Sequence, residues 1–128
     1  MKKVKDEIAL FMGDVKKQDG SIVSCFTFPE TFIGFTGHFP KHKILPGVCQ
    51  IQCALAVLER AFHKTAELRE VSLAKYFAPV LPGEEIMCVC SDIFSSGEFT
   101  FKAVITKGSV RVSEMKLRVT LSDTEKNR

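Results

Sequence analysis

The sequence predicts an α+β fold in which one long helix packs on an antiparallel sheet. From Val48 to Phe62 the apolar residues recur every three or four positions, which is typical of a helix with one face turned to a core. Four runs rich in β-branched and aromatic residues follow this helix. Their connections carry Pro82-Gly83, Ser95-Ser96-Gly97 and Gly108-Ser109, which indicate hairpin turns.

The elements are predicted in the following order. Residues 2–18 have a mixed pattern that fits either a short helix or a strand, and Asp19-Gly20 indicates a turn. A loop, Pro29–Lys43, leads into the helix, and His63 caps the end of that helix. The predicted strands are Ser21–Phe28, Val71–Phe77, Glu85–Phe94, Phe99–Lys107 and Val110–Leu121, and the predicted helix is Pro46–His63. In the first strand, one face carries Ile22, Ser24, Phe26 and Phe28.

The size and net charge of the chain limit the classes of protein to which it can belong. The 128 residues fit one domain, 1–128. A net charge of +3, without a basic stripe, argues against a nucleic-acid partner but is compatible with an acidic carrier protein. The apolar run Ile8–Met12 is too short for a signal peptide or a membrane span, so a cytoplasmic protein without a membrane partner is expected.

The five cysteines do not indicate a disulfide framework. Cys49 and Cys53 lie one helical turn apart, and Cys88 and Cys90 share one face of a strand. Four thiolates can bind zinc, but neither pair has the usual loop spacing. We expect small buried side chains in a reducing compartment, with no metal and no cofactor.

The richest candidate site is the stretch Gly37–Gln52. Amide groups at a helix start are unpaired and the helix dipole is positive there, so Gly47 can stabilise a carbonyl oxygen that gains negative charge. Pro46 suits the first helical position, and Gln52 follows Val48 by one turn on the apolar stripe. His38 supplies a base just upstream. The same spacing is also compatible with a structural histidine and an amide in the core.

The segment also resembles a family signature. His38-Phe39-Pro40, followed by Leu45-Pro46-Gly47-Val48 and an apolar helix, is similar to the active-site segment of the 3-hydroxyacyl-(acyl-carrier-protein) dehydratases. Weaker similarity continues through Lys75–Glu84, and the resemblance covers about Ser21 to Leu121. It implies the hot-dog fold of these enzymes of fatty acid synthesis, an α+β fold in which an antiparallel β-sheet wraps a long central helix.

By position, the resemblance makes His38 the catalytic acid/base and gives the Gly47 N–H to the thioester carbonyl. The family's second catalytic residue is a carboxylate on the helix, contributed by the other subunit of a dimer, and here Gln52 holds that place. The motif residues expected to contact substrate are Phe39, Pro46 and Val48. After the motif, Lys41-His42-Lys43 replaces the family's Gly, Asn or Asp, and Pro, which changes the rim of the pocket.

The implied function is dehydration of 3-hydroxyacyl-carrier-protein thioesters to 2-enoyl thioesters, in fatty acid or related acyl biosynthesis, by a homodimer or higher oligomer. Because an amide cannot release a proton, Gln52 leaves three alternatives. In the first, the dehydratase works with His38 transferring both protons. In the second, the chain is a catalytically impaired subunit of a hetero-oligomeric dehydratase. The third is an acyl-thioester hydrolase.

Overall fold

The computed structural model describes residues 2–35, 43–94 and 96–124. The helical elements are α1 (Lys2–Leu10), a 3-10 turn (Ile33–Phe35) and α2 (Gly47–Phe62). The strands are β1 (Lys16–Gln18), β2 (Ser21–Thr27), β3 (Lys64–Tyr76), β4 (Glu85–Ser91), β5 (Gly97–Lys107) and β6 (Val110–Asp123). Both a helix and a strand therefore form within residues 2–18, where the sequence pattern fitted either.

One six-stranded sheet, in the order β1-β2-β4-β5-β6-β3, packs against α2. Every neighbouring pair of strands is antiparallel, which confirms the α+β prediction. The predicted turn at Asp19-Gly20 is confirmed and closes the β1–β2 hairpin. Both turn residues have positive φ, 46° and 82°, as a tight two-residue hairpin turn requires.

The position of β3 differs from the prediction. β3 lies at the far edge of the sheet and pairs with β6, so the hairpin predicted at Pro82-Gly83 is wrong. That connection instead carries the chain across β5 and β6 to β4. β3 also begins at Lys64, whereas a loop was expected as far as Arg69. The C-cap His63 has left-handed φ and ψ of 54° and 44°, which ends the helix and turns the chain directly into the strand.

The middle of α2 forms the centre of the core. The six consecutive residues Cys53–Leu58 are all buried, so the sheet and α1 cover the helix on every side there rather than along one stripe. The expected burial of Leu55 and Leu58 is confirmed. Val48 is 51% exposed, which contradicts its predicted place in the core, whereas Cys49 and Gln50 in the same turn are buried.

Glu59 connects three elements near the end of α2. Its Oε2 accepts hydrogen bonds from Lys5 Nζ at 3.2 Å and from the Ala66 N–H at 2.9 Å, which joins α1, α2 and β3. These contacts leave the Glu59 side chain only 22% exposed. In the strand β2 and just beyond it, the face predicted to carry Ile22, Ser24, Phe26 and Phe28 is the buried one.

No helix in the described ranges is both long enough and apolar enough to cross a membrane.

Candidate functional site at the start of the central helix

A cleft lies where the start of α2 meets the end of β3. Its volume is ≈ 470 Å³, within the range of small-molecule sites. The chain entering α2 supplies one wall, and the segment that leaves β3 supplies the other. The lining residues are Ile44, Leu45, Pro46, Gly47, Gln50, Tyr76, Phe77, Ala78 and Pro79. The cleft is thus mainly apolar, with few polar groups.

Backbone and side-chain bonds fix the second wall. The Leu45 N–H donates to the Val80 carbonyl at 2.9 Å, which ties the helix entry to this wall. Lys107 Nζ donates to the Pro79 carbonyl at 2.6 Å and to Glu84 Oε1 at 3.0 Å. Glu84 Oε1 also accepts the Leu81 N–H at 2.7 Å. The hydrogen bond from the Leu81 N–H and, to a smaller extent, the one from Lys107 lower the pKa of the Glu84 carboxyl below its ordinary value. Glu84 is therefore ionised at neutral pH and forms an ion pair with Lys107, here called the Glu84–Lys107 clamp.

Gly47 starts α2 and has the phenol of Tyr76 directly against it. A Cβ atom at Gly47 would lie 2.7 Å from both Cζ and Oη of Tyr76, closer than side chains can pack. Glycine at this position therefore accommodates the ring of Tyr76 as well as exposing the backbone amide. Burial raises the pKa of the Tyr76 hydroxyl, so the phenol is a protonated hydrogen-bond donor at neutral pH.

Gln50 is the buried polar side chain of the cleft. It is 3% exposed, and its Oε1 has no hydrogen-bond partner among the described residues. Gln50 lies three positions after Gly47, which places both on one face of the helix. Side chains on a helix point back toward its N-terminus, so the Gln50 amide reaches toward the turn that contains Gly47.

The structure brings together only part of the expected site. His38 and Phe39 lie outside the described residues. Pro46 and Gly47 line the cleft, with Pro46 as the N-cap and Gly47 as the first helical residue, one position later than predicted for the helix start. Gln52 and Val48 do not line it. The Gln52 side chain points inward as expected, and its Oε1 is likewise buried without a partner in the described part of the chain.

The cysteines are free thiols. Desolvation raises the pKa of Cys49 to about 11 and that of Cys53 well above its ordinary value, so neither is a thiolate at neutral pH. Cys88 and Cys90 are buried with their sulfur atoms 3.9 Å apart. Within the described ranges, no three His, Cys, Asp or Glu side chains are grouped so that they can hold a metal ion.

The profile of the ApeI-like family, described as ApeI dehydratase, matches residues 14–116. The chain belongs to the ApeI-like dehydratase family. This chain is 31% identical over 105 residues to the 3-hydroxyacyl-(acyl-carrier-protein) dehydratase FabZ of Wolbachia sp. subsp. Drosophila simulans, an alignment covering 76% of this chain and 72% of the relative. It is 33% identical over 98 residues to FabZ of Polaromonas sp., with 68% of each chain covered. The predicted resemblance to these dehydratases is confirmed.

Solved structures confirm the fold. "The Dehydratase Heterocomplex ApeI:P from Xenorhabdus doucetiae" superposes with a TM-score of 0.68 at 18% identity, covering 85% of this chain and 96% of the other. The E. coli PaaI protein of the phenylacetic acid degradation operon superposes with a TM-score of 0.64 at 14% identity, covering 93% and 91%. Together with the sheet wrapped around α2, these likenesses confirm the hot-dog fold.

Two residues of the cleft, Gln50 and Tyr76, were not among the expected site residues. Gln50 could have been found, since its spacing of three residues from Gly47 places it on the same helix face. Tyr76 could not, because its contact with Gly47 depends on where the edge strand β3 ends.

Proposed function

We propose that this chain dehydrates 3-hydroxyacyl thioesters of a carrier protein to 2-enoyl thioesters, in fatty acid or related acyl biosynthesis. The observation that carries the proposal is the apolar cleft at the N-terminus of α2, lined by Gly47. Membership of a dehydratase family and the carrier-protein substrate in the names of the FabZ relatives support the same reaction.

The helix start suits the first half of this chemistry. Removal of a proton from C2 of a thioester is feasible only if the developing enolate oxygen is stabilised. α2 has no side-chain N-cap. The backbone N–H groups of Cys49 and Gln50 donate to the Pro46 carbonyl at 3.0 and 3.2 Å. The Gly47 amide, at the positive end of the helix dipole, is the group that we assign to the thioester carbonyl.

The second half of the reaction needs a proton for the departing hydroxyl group. We assign both transfers to His38: it takes the C2 proton, the C2–C3 double bond forms as the C3–O bond breaks, and the same proton leaves with the hydroxyl as water. Gln52 stands where the dehydratases that the sequence resembles carry a carboxylate. It can hold a hydrogen bond but cannot deliver a proton, so a slower reaction is expected.

We further propose that the active form is at least a dimer. β3 pairs with β6 on one side only, and its other edge offers a row of backbone groups to a further strand. Leu68 and Val71 on this strand are 39% and 41% exposed, and Phe77, just beyond its end, is 54% exposed. An exposed apolar edge next to the cleft supports an interface at which two chains complete the site.

One observation favours a second candidate function. ApeI:P, which shares the fold, is described as a dehydratase heterocomplex. Because Gln52 replaces the acid, a hetero-oligomer in which another chain supplies a carboxylate is our alternative to the homodimer. Acyl-thioester hydrolysis on the same fold is less favoured, since it too calls for a carboxylate to activate water.

We also propose that the reaction takes place in the cytoplasm. All five cysteines are free and four of them are buried, which is typical of proteins in a reducing compartment.

The test is turnover by the purified protein alone, with 3-hydroxyacyl and 2-enoyl carrier-protein thioesters followed in the forward and reverse directions. We expect slow turnover that is abolished by His38→Ala while circular dichroism and oligomeric state stay unchanged. Equal turnover by the variant would refute the assignment of His38. A folded oligomer without any turnover would favour the hetero-oligomer, which is then tested by adding the candidate second subunit.

A further inference from the structure

Two glutamines on α2 keep a buried side-chain oxygen without a hydrogen-bond partner in the part of the chain that the structure describes. They are Gln50 and Gln52, and only Gln50 lines the cleft. A buried carbonyl oxygen that bonds to nothing loses its hydrogen bond to water without compensation, which is unfavourable. Because Gln50 also lines a cleft, its oxygen is placed to accept a hydrogen bond from a bound ligand.

We propose that Gln50 is the residue that recognises the 3-hydroxyl group of the acyl chain, with its Oε1 accepting the hydroxyl hydrogen. The inference rests on the proposed function, because it takes the ligand to be a 3-hydroxyacyl thioester. It adds a specificity-determining residue to that function and assigns the hydroxyl contact to Gln50 rather than to Gln52.

The position of Gln50 relative to Gly47 supports this assignment. Gly47 and Gln50 lie on one helix face, and the Gln50 side chain reaches back toward the first turn. If the thioester carbonyl binds at the Gly47 amide, C3 lies only two carbon–carbon bonds from the carbonyl carbon. A hydroxyl at C3 is then within reach of a side chain anchored one turn further along the helix.

The other described side chains of the cleft are poorly suited to accept this hydrogen bond. The other lining side chains are aliphatic, proline or aromatic, and Tyr76 alone among them carries a hydrogen-bonding group. The Tyr76 phenol is packed against the backbone of Gly47, at the carbonyl end of the proposed ligand. Among the residues that the structure describes, Gln50 is therefore the buried acceptor of this cleft, and an acyl chain without a hydroxyl would leave it unpaired.

The experiment measures binding rather than turnover. The probes are two pantetheine amides, 3-hydroxybutanoyl and butanoyl, in which nitrogen replaces the thioester sulfur. Amides resist hydrolysis, and their C2 proton is far less acidic than that of a thioester, so affinity can be measured by calorimetry whether or not the protein is a dehydratase. The readout is the ratio of the two dissociation constants, here called the hydroxyl preference.

For the wild type we expect the hydroxyl preference to lie between about 5-fold and 150-fold, the range for leaving one buried polar group unpaired. Gln50→Met keeps the shape and removes the acceptor, so the preference should fall to about 1, mainly because the hydroxylated probe binds more weakly. Gln50→Glu retains an acceptor and should keep a preference. Gln52→Met tests the neighbouring glutamine, and Gln18→Met, on the exposed strand β1, is the matched control that should leave the preference unchanged.

Several outcomes would overturn the proposal. An unchanged preference in Gln50→Met, or equal weakening of both probes, would show that Gln50 does not read the hydroxyl. Loss of the preference in Gln52→Met instead would move the contact to Gln52. Methionine removes the buried oxygen that lacks a hydrogen-bond partner, so Gln50→Met without ligand should be at least as stable as the wild type. Failure of this variant to fold would show that Gln50 has a structural role.

The two proposals fail separately. A wild type that binds with a hydroxyl preference but does not turn over the thioesters would leave the recognition by Gln50 standing and remove the proposed reaction. Turnover without any hydroxyl preference would do the reverse.

Discussion

Adding one methyl group at Gly47 and, for comparison, at Gly34 tests how the start of α2 is packed. At Gly47 the new Cβ would lie 2.7 Å from Cζ and Oη of Tyr76, and at Gly34 it would lie 2.3 Å from Cε2 of Phe32 and 3.0 Å from Sγ of Cys49. Carbon atoms pack at about 3.5–4.0 Å, so the rings of Tyr76 and Phe32 must retreat by roughly 1 Å or more and Sγ of Cys49 by roughly 0.5–1 Å. The two sites differ in whether the neighbour can move.

Tyr76 is 47% exposed at the end of an edge strand, so its ring can swing toward solvent. For Gly47→Ala we expect overpacking at the low end of its range, about 1 kcal/mol, offset by about 0.5–1 kcal/mol from the better helix preference of alanine. The free energy of unfolding should therefore change by less than about 1 kcal/mol. Displacement of Tyr76 should weaken binding of both amide probes.

Phe32 and Cys49 are 1% and 2% exposed, so neither can retreat. For Gly34→Ala we expect a loss near the upper end of the overpacking range, about 3 kcal/mol. For a chain of this size that corresponds to a melting temperature lower by about 10 °C. Urea unfolding followed by circular dichroism measures both variants.

A double-mutant cycle isolates the contact between Gly47 and Tyr76. In a Tyr76→Ala background, Gly47→Ala should become neutral or stabilising, since only the helix preference remains, and the coupling should be about 1 kcal/mol. Tyr76→Phe should not relieve the clash, because Cζ stays in place. Additive effects in the cycle, or an equal loss at Gly47 and Gly34, would refute this account of the packing.

Two further changes test the site and its wall. Gln52→Glu should raise dehydration by about 10²–10⁴-fold with the oligomer unchanged, since it restores a proton donor; unchanged turnover would show that Gln52 does not face the reacting atoms. Glu84→Gln tests the Glu84–Lys107 clamp. A carboxyl whose pKa is lowered on folding stabilises the protein above its ordinary pKa and loses that contribution as the pH falls through the lowered value. The stability difference between wild type and Glu84→Gln in urea should thus be largest near neutral pH and shrink as the pH falls below about 4.5; a difference independent of pH would contradict the role of the charge.

Local patterns were sufficient for much of the fold. The long helix, the turn at Asp19-Gly20 and the buried face of Ser21–Phe28 were predictable, because each depends on spacing within a few residues. The family was also readable from sequence, since His38-Phe39-Pro40 and Pro46-Gly47-Val48 form a contiguous motif. Gln52 was identified by its place in that motif, and its chemical role stays a prediction.

Tertiary structure decided what depends on contacts between distant segments. β3 starts at Lys64, directly after the left-handed His63, and pairs with β6 rather than β4. This pairing joins residues far apart in the chain, and no local pattern encodes it. The same placement brings Tyr76 against Gly47 and makes the cleft in which Gln50 is buried. The sequence alone thus determined the long helix, most of the strands and the family. Only the packing of the edge strand on the helix start showed which side chains share the cleft, because that depends on long-range pairing.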